Sequence, residues 1–402
     1  MSKFLSKRHN SLNAYVPGEQ PADMQYIKLN TNESPYPPPP AVISAVNEDE
    51  LKKLRLYPNP DGSRLMQKLA DFYGVGPKNV IIGNGSDELL AFAFLAFCDN
   101  CNSSQPTSSQ PYSSIPTPGC APANLREQVH AAPEQIPADR ELFCGNGRGA
   151  AFPDITYGFY PVYAELFGVP FQQIPLKEDF TIDPADYMGI GQNIILANPN
   201  APTGIALPVQ DIEAIAKSNP GHVLLVDEAY VDFGAESSIP LTHKYDNLLV
   251  IHTYSKSRSM AGARLAFAIG AAPLIEDLNK MKYSFNPYNV NRLSQLMGEA
   301  AIGEELYYAE KRREITATRE DAAEKLRALG FSATDSKANF IFAKHPLISG
   351  NEFYIKLKEK GILVRHWNKP RISDYLRISI GTNEQMTALI TAVEEILKQP
   401  QA

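Results

Sequence analysis

HVLLVDEAYVDFGAESSIPLTHKYDNLLVIHTYSK, residues 222–256, decides the fold. It holds two short apolar runs, Val223–Val226 and Leu248–Ile251. Neither alternates with polar residues, so each reads as a strand buried on both faces. The first stops at Asp227-Glu228-Ala229-Tyr230, and the second at Thr253-Tyr254-Ser255-Lys256. Upstream, Ile194–Ala197 is a strand of the same kind, followed by Asn198–Gly204 and by a helix over Pro208–Ser218 with proline at its start. Further upstream, Val80-Ile81-Ile82 runs into Gly83–Glu88 and an apolar helix. Downstream comes a strand over Leu265–Ile269. Short apolar strands separated by helices predict an α/β protein with a mostly parallel central sheet covered on both faces.

The chain of 402 residues is too long for one small core. We divide it into an arm over 1–40 that packs with the small domain, a large domain over 41–270, and a smaller α+β domain over 271–402. Residues 99–147 are rich in Ser, Pro and Gln and lack periodicity, so they read as a disordered insertion. Beyond residue 271 we expect a long helix over Glu304–Leu329, strands at Asn339–Ala343, Ile362–Val364 and Tyr375–Ile380, and helices near Asn351–Lys360 and Glu384–Lys398. A net charge of −7 argues against a nucleic-acid partner. The N-terminal stretch has no continuous apolar core, and the run Leu89–Cys98 is too short to span a bilayer. The expectation is a cytoplasmic protein without a membrane partner.

Cys98 and Cys101 form a C-x-x-C pair, with Cys120 and Cys144 separate. Reduced thiols without a metal are the expected reading, because a lone C-x-x-C is a weak match.

Three polar segments sit at the carboxyl ends of expected strands, where open α/β sheets place ligands: Gly83–Glu88, Asp227–Tyr230 and Thr253–Lys256. A fourth, Asn198–Gly204, also follows a strand. Gly85-Ser86-Asp87 before a helix offers free N–H groups and the positive end of a dipole, which suits a phosphate. Ser255 and Arg264 could serve the same phosphate. Asp227 could hold a cation or a protonated ring nitrogen, and Lys256 could be a Schiff-base amine. Each feature alone has an ordinary explanation, a helix cap or a solvated lysine. Together they describe a site for pyridoxal 5'-phosphate.

The chain resembles fold-type I aminotransferases, in particular the histidinol-phosphate aminotransferase family of class II. The motifs are YVPG from Tyr15, KLNTNESPY from Lys28, YPNPDG from Tyr57, GNGSDEL from Gly83, YGFYPVYAE from Tyr157, NPNAPTG from Asn198, VDEAYVDF from Val226, TYSKSRSMAGARLAFAIG from Thr253, ANFIF from Ala338, GILVRHWN from Gly361 and YLRISIGT from Tyr375. The resemblance implies amino transfer between histidinol phosphate, or imidazole-acetol phosphate, and glutamate or 2-oxoglutarate in histidine biosynthesis. It implies Lys256 as the Schiff-base lysine and proton carrier, Asp227 as partner of the ring nitrogen, and Tyr230 and Asn200 as partners of the ring hydroxyl. Tyr157 would stack on the ring. Ser86, Asp87, Thr253, Ser255 and Arg264 would surround the phosphate. Tyr57 would reach the neighbouring subunit's phosphate in a homodimer. Arg377, Arg365, Tyr15 and Asn32 would contact substrate.

Three departures stand out. Ala201 precedes Pro-Thr-Gly where many relatives of this superfamily carry Asn. His252 stands where the branch often has Arg, so a salt bridge or a contact near the phosphate could be missing. The insertion at 99–147 is not a family feature. Alternative activities are an aromatic-amino-acid aminotransferase and a threonine-phosphate decarboxylase. A metal-binding regulator built on the cysteines is the different-class alternative.

Overall fold

The computed structural model describes residues 4–6, 9–10, 12–99 and 148–398. Its main sheet has seven strands: β2 (Val80–Gly83), β3 (Ala150–Pro153), β4 (Phe171–Ile174), β5 (Asn193–Ala197), β6 (Leu224–Asp227), β7 (Leu248–Thr253) and β8 (Ala266–Gly270). Their order is β2-β8-β7-β6-β5-β3-β4. All neighbouring pairs from β4 to β7 are parallel, while β8 runs antiparallel to both β7 and β2. Reversal of β8 alone leaves β2, β5, β6 and β7 pointing the same way, so their carboxyl ends share one edge.

The apolar runs earn their burial through alternation. Ile194, Leu196, Leu224, Val226, Leu248 and Val250 enter one core cluster. Ile195, Ala197, Leu225, Leu249 and Ile251 enter another on the opposite face. Because side chains alternate with a period of two, this parity continues past the strand ends. Asp227 follows Leu225 onto the second face, and Glu228 and His252 fall to the first.

A four-stranded sheet forms the second unit: β9 (Ser332–Ala333), β10 (Phe340–Lys344), β12 (Arg365–His366) and β13 (Tyr375–Ser379), in the order β12-β13-β10-β9. The N-terminal strand β1 (Ile27–Lys28) pairs in parallel with β11 (Ile362–Leu363). The long helix spans Glu305–Ala328, and the last helix Asn383–Lys398.

Two helices were not legible in the sequence. Ala272–Phe285 packs on Ser86–Phe97 and β2, and Arg292–Ile302 packs on Ser63–Tyr73. Ile275 and Leu278 join one core of the large sheet, and Ala301 the other. The large sheet's packing therefore extends past the boundary expected at residue 270. Strand β4 was also missed, since it has only four residues and is half exposed. Residues 100–147, which include most of the expected insertion and Cys101, Cys120 and Cys144, lie outside the described residues. Their flanks meet: Asp99 donates its backbone N–H to Arg148 O at 2.9 Å, and Arg148 N–H donates to Asp99 Oδ2 at 3.0 Å. No helix among the described residues is long and apolar enough to cross a membrane.

Candidate active site

The shared strand edge opens onto a cavity of about 330 Å³. Asp227 enters it from the end of β6, Thr253, Ser255 and Lys256 from β7, Ser86 and Asp87 from the helix after β2, and Ala197 from β5. Tyr157, Ala201, Tyr230 and Arg264 complete the wall with Thr31 and Glu33 from the N-terminal segment.

Asp227 is 5% exposed. Tyr160 donates its hydroxyl to Asp227 Oδ2 at 3.0 Å, and Oδ1 is buried without a partner. Burial pushes the Asp227 carboxyl up to about 6, against the opposing hydrogen bond from Tyr160, with the nearby Asp87 adding to the rise. An orphaned buried carboxylate oxygen costs free energy unless something donates to it. Tyr160 was not singled out from the sequence. It lies in the first turn of the helix Phe159–Phe167, three residues beyond Tyr157 in YGFYPVYAE.

Lys256 donates to Thr31 O at 3.3 Å, and its ammonium lies 5.8 Å from the Tyr230 ring centroid. The loop that carries it is anchored on both sides. Ser257 hydrogen-bonds Asp232, and Thr253 Oγ1 accepts from Ser255 N–H at 3.1 Å. Arg258 is buried among Phe72, Tyr254 and Tyr308, with its guanidinium carbon 5.4–5.6 Å from their rings.

The anion cradle is built on Gly85. Its φ of +78° suits glycine, and a Cβ there would lie 2.5 Å from the Arg264 guanidinium. Ser86 opens the helix Ser86–Phe97, whose first N–H groups point at the cavity end. Arg264 donates to Asp87 Oδ2 at 3.1 Å, and the Tyr157 hydroxyl donates to Asp87 Oδ1 at 2.8 Å.

A second cavity, of about 550 Å³, adjoins the first through Tyr157 and Ala201. Tyr15, Trp367, Arg365, Arg371 and Arg377 line it. Tyr15 stacks on Phe159 with centroids 4.2 Å apart. Asn32 is buried, donates to the Tyr230 hydroxyl at 3.0 Å, and holds Ser379 through its Oδ1 at 2.8 Å. It ties the N-terminal segment, the small sheet and Tyr230 together.

Three expected residues line neither cavity of this chain: Asn32, whose contacts are given above, Asn200 and Tyr57. The amide of Asn200 donates to Ile155 O at 2.9 Å and Thr203 Oγ1 at 3.2 Å, and its Oδ1 accepts from Thr156 at 2.7 Å. The Ala201 methyl faces the cavity in its place, so the wall carries no amide there. Tyr57 is 78% exposed and stacks on Tyr288 at 4.5 Å, apart from the cavities of its own chain. His252 is buried and pairs with Glu228 Oε2 at 2.7 Å. That contact lies on the face of the sheet opposite Asp227, as the parity of the strands requires. No metal-binding cluster of His, Cys, Asp and Glu occurs among the described residues. Cys98 is half-buried and accepts from Asn193 at 3.6 Å, and the loss of water around it pushes its thiol up to about 12.

A lysine and a buried aspartate in one cavity, with an anion cradle at a helix start, define a class of group-transfer enzyme. The sequence model of the family described as aminotransferase class I and II matches residues 24–123 and 139–393. The chain is 44% identical to the histidinol-phosphate aminotransferase of Brachyspira hyodysenteriae, over 99% of this chain and all of the relative. It is 45% identical to that of Marinomonas sp., over 98% of this chain and all of the relative. The chain therefore belongs to the class I and II aminotransferases, within their histidinol-phosphate aminotransferase branch. Among solved structures, the Sinorhizobium meliloti histidinol-phosphate aminotransferase, in complex with pyridoxal-5'-phosphate, shares the fold with a TM-score of 0.75 at 19% identity, covering 93% of this chain and 92% of that one.

Proposed function

We propose that this chain uses pyridoxal 5'-phosphate to move an amino group between histidinol phosphate and 2-oxoglutarate, as a cytoplasmic homodimer. The observation that carries the reading is Asp227: a buried carboxylate with one oxygen unpartnered, in the same cavity as the Lys256 amine. The donor set fits the cofactor. Asp227 Oδ1 would accept from a protonated ring nitrogen, and Tyr230 would hydrogen-bond the ring hydroxyl. Ser86, Thr253, Ser255 and Arg264 would hold the phosphate at the helix start. Tyr157 offers a ring face.

When bound, the cofactor supplies an aldehyde that condenses with amines and a ring that spreads the electron pair left on deprotonation. The protein's own groups do the rest. Lys256 Nζ would hold the aldehyde end of the cofactor and, once the substrate amine has taken its place there, would carry the proton from the substrate carbon. Asp227 would keep the ring nitrogen protonated, and Tyr160 orients Asp227 through its hydroxyl. Arg365 and Arg377 grip the anionic ends of the two substrates in turn, a task for planar, permanently charged groups. The wall of Tyr15, Tyr157 and Trp367 gives an imidazole ring apolar faces.

The test follows the cofactor's absorbance in purified protein as histidinol phosphate and then 2-oxoglutarate are added. Conversion to the amine form and back is expected. Phenylalanine in place of histidinol phosphate should convert it far less. A stronger response to phenylalanine would transfer the assignment to aromatic amino acids, and release of carbon dioxide to a decarboxylase.

A further inference from the structure

Arg365 and Arg377 face each other directly, as register partners across β12 and β13. Like charges in that relation repel. Among the described residues, neither hydrogen-bonds a carboxylate. Arg365 donates to Val16 O at 2.9 Å and Pro17 O at 3.0 Å, and Arg377 donates to Asn30 O at 2.9 Å. The Nε of Arg377 is buried with no partner. Two cations are thus brought together with donor capacity unspent.

One side chain touches both. The Trp367 indole centroid lies 5.4 Å from the guanidinium carbon of Arg365 and 5.3 Å from that of Arg377. Trp367 follows Arg365 by two residues, which puts the two side chains on one side of an extended chain. The negative face of an indole attracts a guanidinium, and tryptophan does so best of the aromatic residues. The same indole packs against the apolar cluster of Ile155, Leu176, Phe180, Phe342 and Ile372, which fixes its plane. It is the only tryptophan in the chain.

We propose that Trp367 is a specificity-determining positioning residue: its indole sets the spacing of Arg365 and Arg377 and makes them one receptor for doubly anionic substrates. Without the indole the guanidiniums keep only their carbonyl partners and, for Arg377, the Phe340 ring 5.4 Å away, and lose the one ring that both share. The inference rests on the amino-transfer reading of the cavity, and its test separates the two.

Steady-state kinetics of the holoenzyme with histidinol phosphate and 2-oxoglutarate are compared for the wild type, Trp367→Leu and Trp367→Phe. The leucine variant should raise KM for both anions about tenfold, the scale of one or two lost cation–π contacts, with kcat falling less than KM rises. Phenylalanine, which keeps an aromatic face, should recover most of the loss. An unchanged KM in the leucine variant overturns the proposal, as does a fall in kcat alone or a failure of phenylalanine to rescue. If the leucine variant does not fold, Trp367 fluorescence in the wild-type holoenzyme decides. A saturable change on adding 2-oxoglutarate supports the proposal, and a flat titration rejects it. Absence of amino transfer in the wild type would overturn the functional reading instead, while the fluorescence titration would still judge Trp367.

Discussion

The Tyr160 hydroxyl and the Asp227 carboxylate are joined by a 3.0 Å hydrogen bond inside the protein, and that bond leaves Asp227 Oδ1 as the free end. Tyr160 thereby fixes which oxygen is left to meet a ligand. Replacing it by phenylalanine removes one hydrogen bond to a buried charge, worth about 1.5–3 kcal/mol. Tyr160→Phe should therefore move the acid limb of kcat/KM upward by about one to two pH units, since 1.36 kcal/mol corresponds to one unit. A pH–rate profile identical to that of the wild type would show that the hydroxyl does not tune Asp227.

Asp227 also governs stability. Its carboxyl, about 6 in the folded cofactor-free protein, has an ordinary value of 3.8. A raised folded value means that the folded state holds its proton longer than the unfolded chain. The contribution is whole below pH 3.8, and is lost as pH rises through about 6. Above that the buried charge costs about 3 kcal/mol. Cofactor-free Asp227→Asn should therefore be more stable than cofactor-free wild type at pH 8, and the gap should close towards pH 4. Denaturant unfolding at both pH values checks this. The same variant should lose nearly all amino transfer.

Gly85 tests the cradle. An alanine there would have to hold an extended positive-φ backbone that glycine alone adopts readily, at a cost of about 1–3 kcal/mol, and its methyl meets the Arg264 guanidinium. Gly85→Ala should weaken cofactor binding by at least about tenfold. Titration of the cofactor into apoprotein measures it, with the melting curve of the apoprotein separating lost affinity from lost fold.

Tyr57 tests the dimer. It is exposed and remote from its own cavities, which fits a role in the neighbouring subunit's site. Tyr57→Ala and Lys256→Ala should each be inactive or nearly so alone. Mixed dimers of the two should regain turnover, because one of their sites carries both native residues. Mixing that restores nothing would place Tyr57 outside catalysis.

Much of the site was legible because its motifs are local. Asp227, Lys256 and Ser86 each sit where an apolar strand ends, and a strand end can be read from four or five residues. The parallel sheet followed from the same runs, since Leu224–Val226 and Leu248–Ile251 are apolar on both faces. Strand β4 and the helices at 272–285 and 292–302 were hidden because their burial depends on what packs over them. Which of Asp227 and Glu228 faces the cavity is a matter of parity counted from the core. The hydrogen bonds of Asn200, the closure of His252 on Glu228 and the place of Tyr160 join residues 24 to 67 positions apart or depend on loop direction. The indole between two arginines required the register of β12 against β13. Sequence by itself determined which side chains stand at the strand ends, because local hydrophobic pattern controls strand formation. Tertiary structure alone decided which of them meet, because strand order and register set distances that no stretch of chain encodes by itself.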